Sequence, residues 1–286
     1  MAEGTVFAAG WTLDDVQWSK FDASKVDPGL LQAVKAASLV EFNAPDYVIY
    51  LKRVFKDSGA ETLANIEQWG VEETQHGLAL GHWCELADPT FDFKASFARF
   101  REGYKAAHFF SDDATSVRGS RRGEMVARCV VECGTSSFYS AIREAADEPV
   151  LKEVAGRIAA DEFRHYKLFF GMLHKQDEPE LPFWRKLVVA LTRVNESDDD
   201  ELAYAFYAAN IPPSEPYKRE EYARAYYAQS LTLYRRHHVR KLVQMIAKTI
   251  GADPNGRLTQ AAGAVAWRAL RVKAGLNTRA AAHIAA

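Results

Sequence analysis

The sequence lacks the features that mark membrane-spanning, disulfide-stabilised and zinc-ribbon proteins. It has three cysteines, Cys84, Cys129 and Cys133, and no Cys-x-x-Cys pair. An odd set without that spacing argues against a disulfide framework, a structural zinc site and a rubredoxin-type iron centre. No uninterrupted apolar run of about 18 residues is present, and the N-terminus lacks a basic segment followed by an apolar one. We therefore expect a cytoplasmic protein without a membrane span.

A strong charge of either sign is also missing. The 36 Lys and Arg residues nearly balance the 38 Asp and Glu residues, so we expect no nucleic-acid partner. The basic run from Arg235 to Lys241 is local, and it could meet an acidic carrier protein or form a solvated helix face. No stretch shows a clear alternation of apolar and polar residues; instead, apolar residues recur every three or four positions. The pattern predicts an all-α protein.

Turn signals divide the first part of the chain into four long helices. Proline, Asp-Ser-Gly and Gly-containing stretches mark their ends. The predicted helices run from about residue 28 to 56, 60 to 87, 123 to 147 and 150 to 175. A long connection, from about Asp88 to Arg118, holds a shorter amphipathic segment from Phe91 to about His108. We assign residues 1–178 to a four-helix bundle with an N-terminal extension. Residues 179–286 are additional helices packed on it, the longest from about Glu215 to Ile250 and the last from Leu258 to Lys273.

A four-residue pattern, Glu-x-x-His, occurs twice, as Glu73-Thr-Gln-His76 and Glu162-Phe-Arg-His165. On a helix the first and fourth positions share a face, so both side chains of each copy can point to one centre. A lone glutamate precedes each copy, Glu41 by 32 residues and Glu132 by 30. Because a predicted turn lies midway in both intervals, each lone glutamate lies level with its own motif in an antiparallel hairpin.

Four carboxylates and two imidazoles on facing helices are the ligand set of bundles that hold two iron or two manganese ions. The alternative is that these residues belong to solvated helix faces, but apolar residues surround both motifs, and burying carboxylates there without a partner is costly. The predicted metal ligands are Glu41, Glu73, His76, Glu132, Glu162 and His165.

Acidic residues immediately precede both motifs, Glu72 in the first and Asp161 in the second. Histidine ligands usually donate their other ring N–H to a carboxylate, so these two acids are candidate partners of the ligand histidines. The alternative is that they are surface acids. Pro45 cannot donate a helix hydrogen bond to the carbonyl of Glu41, and it should distort that turn.

At these motifs the chain resembles the ferritin-like di-iron superfamily, and within it the soluble acyl-acyl-carrier-protein desaturases. Residues 69–77, Trp-Gly-Val-Glu-Glu-Thr-Gln-His-Gly, are similar to that family's Trp-x-x-Glu-Glu-x-x-His-Gly. Residues 158–165, Ile-Ala-Ala-Asp-Glu-Phe-Arg-His, are similar to its Ile-Ala-Ala-Asp-Glu-x-Arg-His. The resemblance covers about residues 29 to 175. It implies a ferritin-like four-helix bundle with a long crossover connection, two ferrous ions with manganese as the alternative, dioxygen as co-substrate and an external electron donor such as a ferredoxin.

Thr135, three residues after Glu132, matches a threonine beside the oxygen-binding face in that family, which implies a catalytic role. The alternative is an ordinary helix threonine that bonds the carbonyl four residues back. Nearby aromatic residues could line a substrate tunnel or belong to the core. They are Phe138, Tyr139, Phe163, Tyr166, Phe169 and Phe170.

The function that the resemblance implies is an oxygen-activating oxidase, most simply one that desaturates a hydrophobic acyl thioester linked to acyl carrier protein or coenzyme A. Alternatives are a hydroxylase or N-oxygenase of another small molecule, and a ferroxidase or rubrerythrin-like protein that handles iron or peroxide. A helical module with a structural metal is a further one. The chain is smaller than the plant-type enzymes, so the carrier-docking surface could differ. A homodimer is expected because related bundles often pair.

Overall fold

The computed structural model describes residues 10–104, 114–196 and 200–284, with side chains up to Thr278. Within these ranges the chain forms helices and no strand, which confirms the all-α prediction. The helices are α1 (Pro28–Phe42), α2 (Ala44–Val54), α3 (Ala60–Ala87), α4 (Phe93–Gly103), α5 (Arg121–Ala145), α6 (Pro149–Lys175), α7 (Phe183–Asn195), α8 (Asp200–Asn210), α9 (Arg219–Ser230), α10 (Arg236–Ile250) and α11 (Arg257–Ile284).

Side-chain caps explain why α1, α5 and α6 begin where they do. Asp27 accepts a hydrogen bond from the backbone N–H of Leu30 at 2.7 Å, before Pro28 opens α1. Ser120 caps α5 through Gly123 N at 3.0 Å, and Glu148 caps α6 through Leu151 N at 2.7 Å. Each cap satisfies a backbone donor that has no partner within its helix. The capped starts of α1, α5 and α6 lie close to the predicted ones, and so do the bounds of α3, although its N-cap residue Gly59 makes no side-chain cap.

Two predicted helices are each divided in the structure. The helix expected from residue 28 to 56 breaks at Asn43, where Pro45 supplies no N–H for the Glu41 carbonyl. The helix expected from Glu215 to Ile250 is interrupted by a 3₁₀ turn at Leu231–Leu233 and by extended backbone at Tyr234, so continuous helix was wrong in both places.

Two other predicted bounds also differ. The last helix was expected to end at Lys273, but α11 continues to Ile284. The amphipathic segment expected from Phe91 to about His108 forms α4, which ends at Gly103; its continuation beyond residue 104 lies outside the described residues.

Helix packing joins α1 to α3 and α5 to α6, and α3 also contacts α6. The later helices cover this group, because α8 packs on α1, and α7 and α10 pack on α5. The division of the chain at residue 178 stays a prediction. Among the described helices, none combines the length and the apolar character that a membrane crossing requires.

Two apolar clusters lie along α3, α5 and α6, and a polar site separates them. On α3, Ile66 and Trp69 belong to one cluster, whereas Leu80 and Trp83 belong to the other. The motif residues of α3 lie between these pairs, and α6 repeats the arrangement. These helices therefore place their ionisable residues midway along their length and surround them with apolar side chains.

Candidate metal centre

The six predicted ligands converge in one buried place between α1, α3, α5 and α6. They form two groups in which the potential ligand atoms all lie within 4.8 Å of one another. The first group contains Glu41, Glu73, His76 and Glu162, and the second contains Glu73, Glu132, Glu162 and His165. Glu73 and Glu162 belong to both, so the motif glutamates lie where carboxylates would bridge two ions. Glu41 is grouped with His76 of its own hairpin, and Glu132 with His165 of its own hairpin.

The histidine rings point their Nδ1 atoms into this cluster. His165 Nδ1 lies 3.0 Å from Glu73 Oε1 and 3.7 Å from Glu132 Oε2. His76 Nδ1 lies 3.2 Å from Glu162 Oε1 and 3.6 Å from Glu73 Oε2. Each histidine therefore lies closest to the motif glutamate of the other hairpin. This exchange gives the site an approximate twofold arrangement.

Several of these atoms are buried without a hydrogen-bond partner among the described residues. They are both carboxylate oxygens of Glu132, Oε1 of Glu162, and Nδ1 of His76 and of His165. Leaving such groups unpaired costs about 1–3 kcal/mol each, so they call for an ion or another partner. Nitrogen and carboxylate oxygen donors suit iron and manganese, and four carboxylates balance the charge of two divalent cations. The residues fit a two-metal centre.

The outer nitrogens of both rings contact the acids that precede the motifs, in a crossed fashion. His76 Nε2 lies 3.1 Å from Asp161 Oδ2, and His165 Nε2 lies 2.9 Å from Glu72 Oε2. Arg164 contacts both acids, so it links the two histidine supports. Such a contact fixes the ring orientation and leaves Nδ1 free to face the centre. The structure thus places Glu72 and Asp161 where the sequence predicted partners for the histidines.

Trp11 contacts Asp161 and His76, a role that the sequence did not predict. Its indole Nε1 donates to Asp161 Oδ2 at 2.7 Å, and its ring is stacked at 6.3 Å from the His76 ring. Trp11 is buried and belongs to the N-terminal segment that precedes α1. No motif spacing connects it to α3 or α6, so only the folded chain shows this contact.

The charges of the cluster show why protons and metal ions compete there. Burial, and then the neighbouring Glu73 carboxylate, raise the pKa of Glu41 well above its usual value, and burial does the same for Glu132. Burial alone would lower the pKa of His76, but the carboxylates of Asp161 and of the neighbouring glutamates raise it well above its usual value; the glutamates around His165 raise its pKa in the same way. The raised pKa values favour the protonated forms of these groups, and a metal ion that binds there must displace the protons.

Two hydroxyl groups contact the glutamates of the site. Thr135 Oγ1 donates to Glu162 Oε2 at 2.5 Å, while the backbone carbonyls of Val131 and Glu132 lie farther away, at 3.3 Å each. A hydroxyl has one proton, so the shorter contact to Glu162 takes it. The Tyr139 hydroxyl donates to Glu41 Oε1. The spacing offered a signal for Tyr139, since it lies two helical turns after Glu132 on the same face.

An apolar cavity of about 330 Å³ reaches the cluster from the side of Thr135. Glu41, Glu132 and Glu162 form part of its lining, so a molecule inside it would lie beside the candidate metal ligands. Phe138 of the predicted aromatic set lines the cavity, whereas Tyr166 and Phe169 belong to the core. The opposite wall comes from the later helices, through Leu202, Tyr226, Tyr227, Leu231, Tyr234, Leu242 and Ile246. The sequence did not assign those helices this role.

Other cysteine, histidine and glutamate residues that could bind a metal lie outside this centre. Cys84, Cys129 and Cys133 are buried free thiols, and burial raises their pKa values, so they behave as core residues. A third group of potential ligands is Glu144 with His237 and His238, near the surface. Its Glu144 is already paired with Arg235 at 2.8 Å.

Chemically, the buried centre combines six nitrogen and oxygen donors, two supported histidines, a hydroxyl at the cavity border and an apolar space beside them. Comparison of the chain with models of known protein families and with curated proteins gives no match.

Proposed function

We propose that the chain is a ferritin-like di-iron protein that uses dioxygen to oxidise an apolar organic substrate. The observation that carries this proposal is the cavity, which brings apolar space directly to the cluster of four glutamates and two histidines. The pairing of α1 with α3 and of α5 with α6 supports a ferritin-like bundle, with the segment between α3 and α5 as its crossover connection.

The side chains divide the work of holding two ions. Glu41 and His76 would bind one ion, Glu132 and His165 the other, and Glu73 and Glu162 would bridge them; Asp161 and Glu72 keep the histidine rings oriented. Two ferrous ions in such a ligand set supply electrons for the reduction of dioxygen and so permit cleavage of an unactivated C–H bond. An external donor such as a ferredoxin would supply further electrons.

Thr135 occupies the border between the ligands and the substrate space. Its hydroxyl contacts Glu162 and its side chain lines the cavity. It can therefore hold a proton on the substrate side of the Glu162 carboxylate, and this position supports a role in catalysis. Apolar side chains such as Val131 and Phe138 also line the cavity, and they lower the polarity around the reacting groups.

Desaturation of a hydrophobic acyl chain is the reaction that we propose first, with an acyl thioester as the substrate that the motif resemblance implies. Hydroxylation or N-oxygenation of another small molecule is the alternative within the same chemistry. The cavity has a volume within the range of small-molecule sites. A site for storing iron or reducing peroxide needs no such apolar space, so the cavity favours an organic substrate.

The test is single-turnover oxidation by iron-loaded, chemically reduced protein, mixed with oxygenated buffer and acyl substrates. We expect oxygen uptake that depends on substrate, with a product that has lost two hydrogens; a hydroxylase would instead add one oxygen. Glu162→Ala should abolish turnover, whereas the exposed Glu220→Gln on α9 serves as the matched control. Rapid iron oxidation with accumulation of a ferric mineral, and no organic product, would refute the proposal.

A further inference from the structure

The cavity lining includes a group of polar residues, several of which contact or approach one another. They are Arg128, Arg193, Tyr47, Glu196 and Glu201. Arg128 is only 6% exposed, which is unusual for an arginine that does not form a close ion pair. It precedes Glu132 by one turn of α5, about 6 Å along the helix axis. The buried cation therefore shares the cavity with the candidate metal ligands.

The guanidinium of Arg128 is poorly paired within the described residues. Its nearest acid is Glu124, whose Oε1 lies 3.7 Å from Nε, beyond hydrogen-bond distance. The other oxygen of Glu124 accepts hydrogen bonds from Tyr50 at 2.8 Å and Ser116 at 2.7 Å. Nε of Arg128 has no hydrogen-bond partner there, and the guanidinium lies 5.2 Å from the centre of the Tyr47 ring. Its N–H donors can therefore serve a molecule in the cavity.

Arg193, on α7, is also poorly paired within the described residues. Its nearest acid oxygen is Glu196 Oε2 at 3.9 Å, and its Nε has no hydrogen-bond partner among the described residues. Glu196 is already engaged by both terminal nitrogens of Arg118. Glu201, the other acid of the lining, accepts a hydrogen bond from Tyr47 at 2.6 Å. Glu196 and Oε2 of Glu201 are thus directed to other donors, and both arginines line the cavity.

We infer that Arg128 and Arg193 bind the ionised carboxylate of the substrate, whose hydrocarbon part extends past Thr135 toward Phe138 and Tyr226. A buried guanidinium gains most from a planar carboxylate, which accepts two parallel hydrogen bonds. The remaining lining is apolar and suits the hydrocarbon part. This inference rests on the proposed oxidation of an apolar organic substrate and narrows that substrate to a free carboxylic acid, in place of the acyl thioester that the motif resemblance implies.

The inference also predicts where the substrate reacts. From Arg128 to Thr135 the axis of α5 advances about 10 Å, at roughly 1.5 Å per residue. Oxidation should therefore occur at a carbon remote from the carboxylate, and not at the carbon next to it.

The test is calorimetric titration of the metal-free protein with octanoate and with octanamide, its neutral isostere. We expect the wild type to bind octanoate more tightly than octanamide. Arg128→Gln should weaken octanoate binding at least tenfold, because hydrogen bonds between charged groups are stronger than those between neutral groups. The affinity for octanamide should change little. Arg143→Gln, on the exposed side of α5 and outside the cavity, is the matched control and should bind both as the wild type does.

Equal affinity of the wild type for octanoate and octanamide, absence of octanoate binding, or an Arg128→Gln protein that binds octanoate normally would each overturn the inference. Should Arg128→Gln fail to fold, Arg193→Gln and the comparison of acid with amide in the wild type still decide it. The titration needs no metal. Octanoate binding by a chain that takes up no metal ions would contradict the proposed function and leave this inference standing.

Discussion

Substitutions of Glu132 can separate an effect on the stability of the metal-free protein from an effect on metal binding. Both carboxylate oxygens of Glu132 are buried without a hydrogen-bond partner among the described residues. Methionine has a similar length and no group that needs a partner. Glu132→Met should therefore stabilise the metal-free protein. Glu132→Gln keeps the shape and the unpaired polar atoms, so it should leave the metal-free stability nearly unchanged. Both variants lose one ligand.

The magnitude follows from the burial of the carboxyl group. An unpaired buried polar group costs about 1–3 kcal/mol. Burial raises the pKa of Glu132 and so favours its neutral form, which places the gain at the lower end, about 1 kcal/mol. For domains slightly smaller than this one, 1 kcal/mol changes the Tm by roughly 2–4 °C. Metal at a hundredfold excess over its Kd adds about 2.7 kcal/mol to the wild type.

Thermal unfolding, with and without excess Mn²⁺ after chelator treatment, measures both effects in one experiment. We expect Glu132→Met to unfold a few degrees above the wild type without metal, and below it when both are given Mn²⁺. Glu132→Gln should match the wild type without metal and should also show a diminished response to Mn²⁺. A Glu132→Met protein that is less stable than the wild type without metal, yet keeps the full Mn²⁺ response, would refute the reasoning.

Three further predictions concern protonation, packing and the support of the histidines. The metal-free protein should lose stability as the pH rises from about 6.5. The pKa values of His76 and His165 are higher in the folded state than in the unfolded chain, so the unfolded chain releases these protons at lower pH. A Tm that rises over this pH range would contradict the prediction. Gly77→Ala should lower the Tm and weaken metal binding, because a Cβ there would lie 2.5 Å from the backbone nitrogen of Phe42 and push α1 away from α3. Gly171→Ala is the control and should change neither property, because open space surrounds Gly171. Asp161→Asn should weaken metal affinity roughly 10- to 100-fold in a titration, and unchanged affinity would show that Asp161 does not support His76.

The sequence predicted the ends of α3, α5 and α6 because proline, capping residues and turns are local signals. It also predicted the convergence of the six candidate ligands, since spacing along antiparallel helices fixes which residues lie level. Pro45 signalled the distortion after Glu41, but the prediction kept one continuous helix where the structure has two. The break in the helix expected up to Ile250 has no comparable local signal, because the segment around Leu231 contains neither proline nor glycine.

Contacts between distant parts of the chain were beyond sequence reasoning. Trp11 reaches Asp161 across 150 positions, and the later helices contribute Tyr226 and Leu242 to the cavity wall. These contacts depend on how whole helices pack, which periodicity alone does not specify. The poor pairing of Arg128 likewise emerges only when the partners of every neighbouring acid are known.

The central claim is that the six side chains hold two metal ions, and anomalous diffraction from crystals of iron-loaded protein tests it most directly. We predict two iron peaks between α1, α3, α5 and α6, one beside His76 Nδ1 and the other beside His165 Nδ1, with iron analysis giving two ions per chain. A single peak at this centre, or iron bound at Glu144, His237 and His238 instead, would contradict the claim.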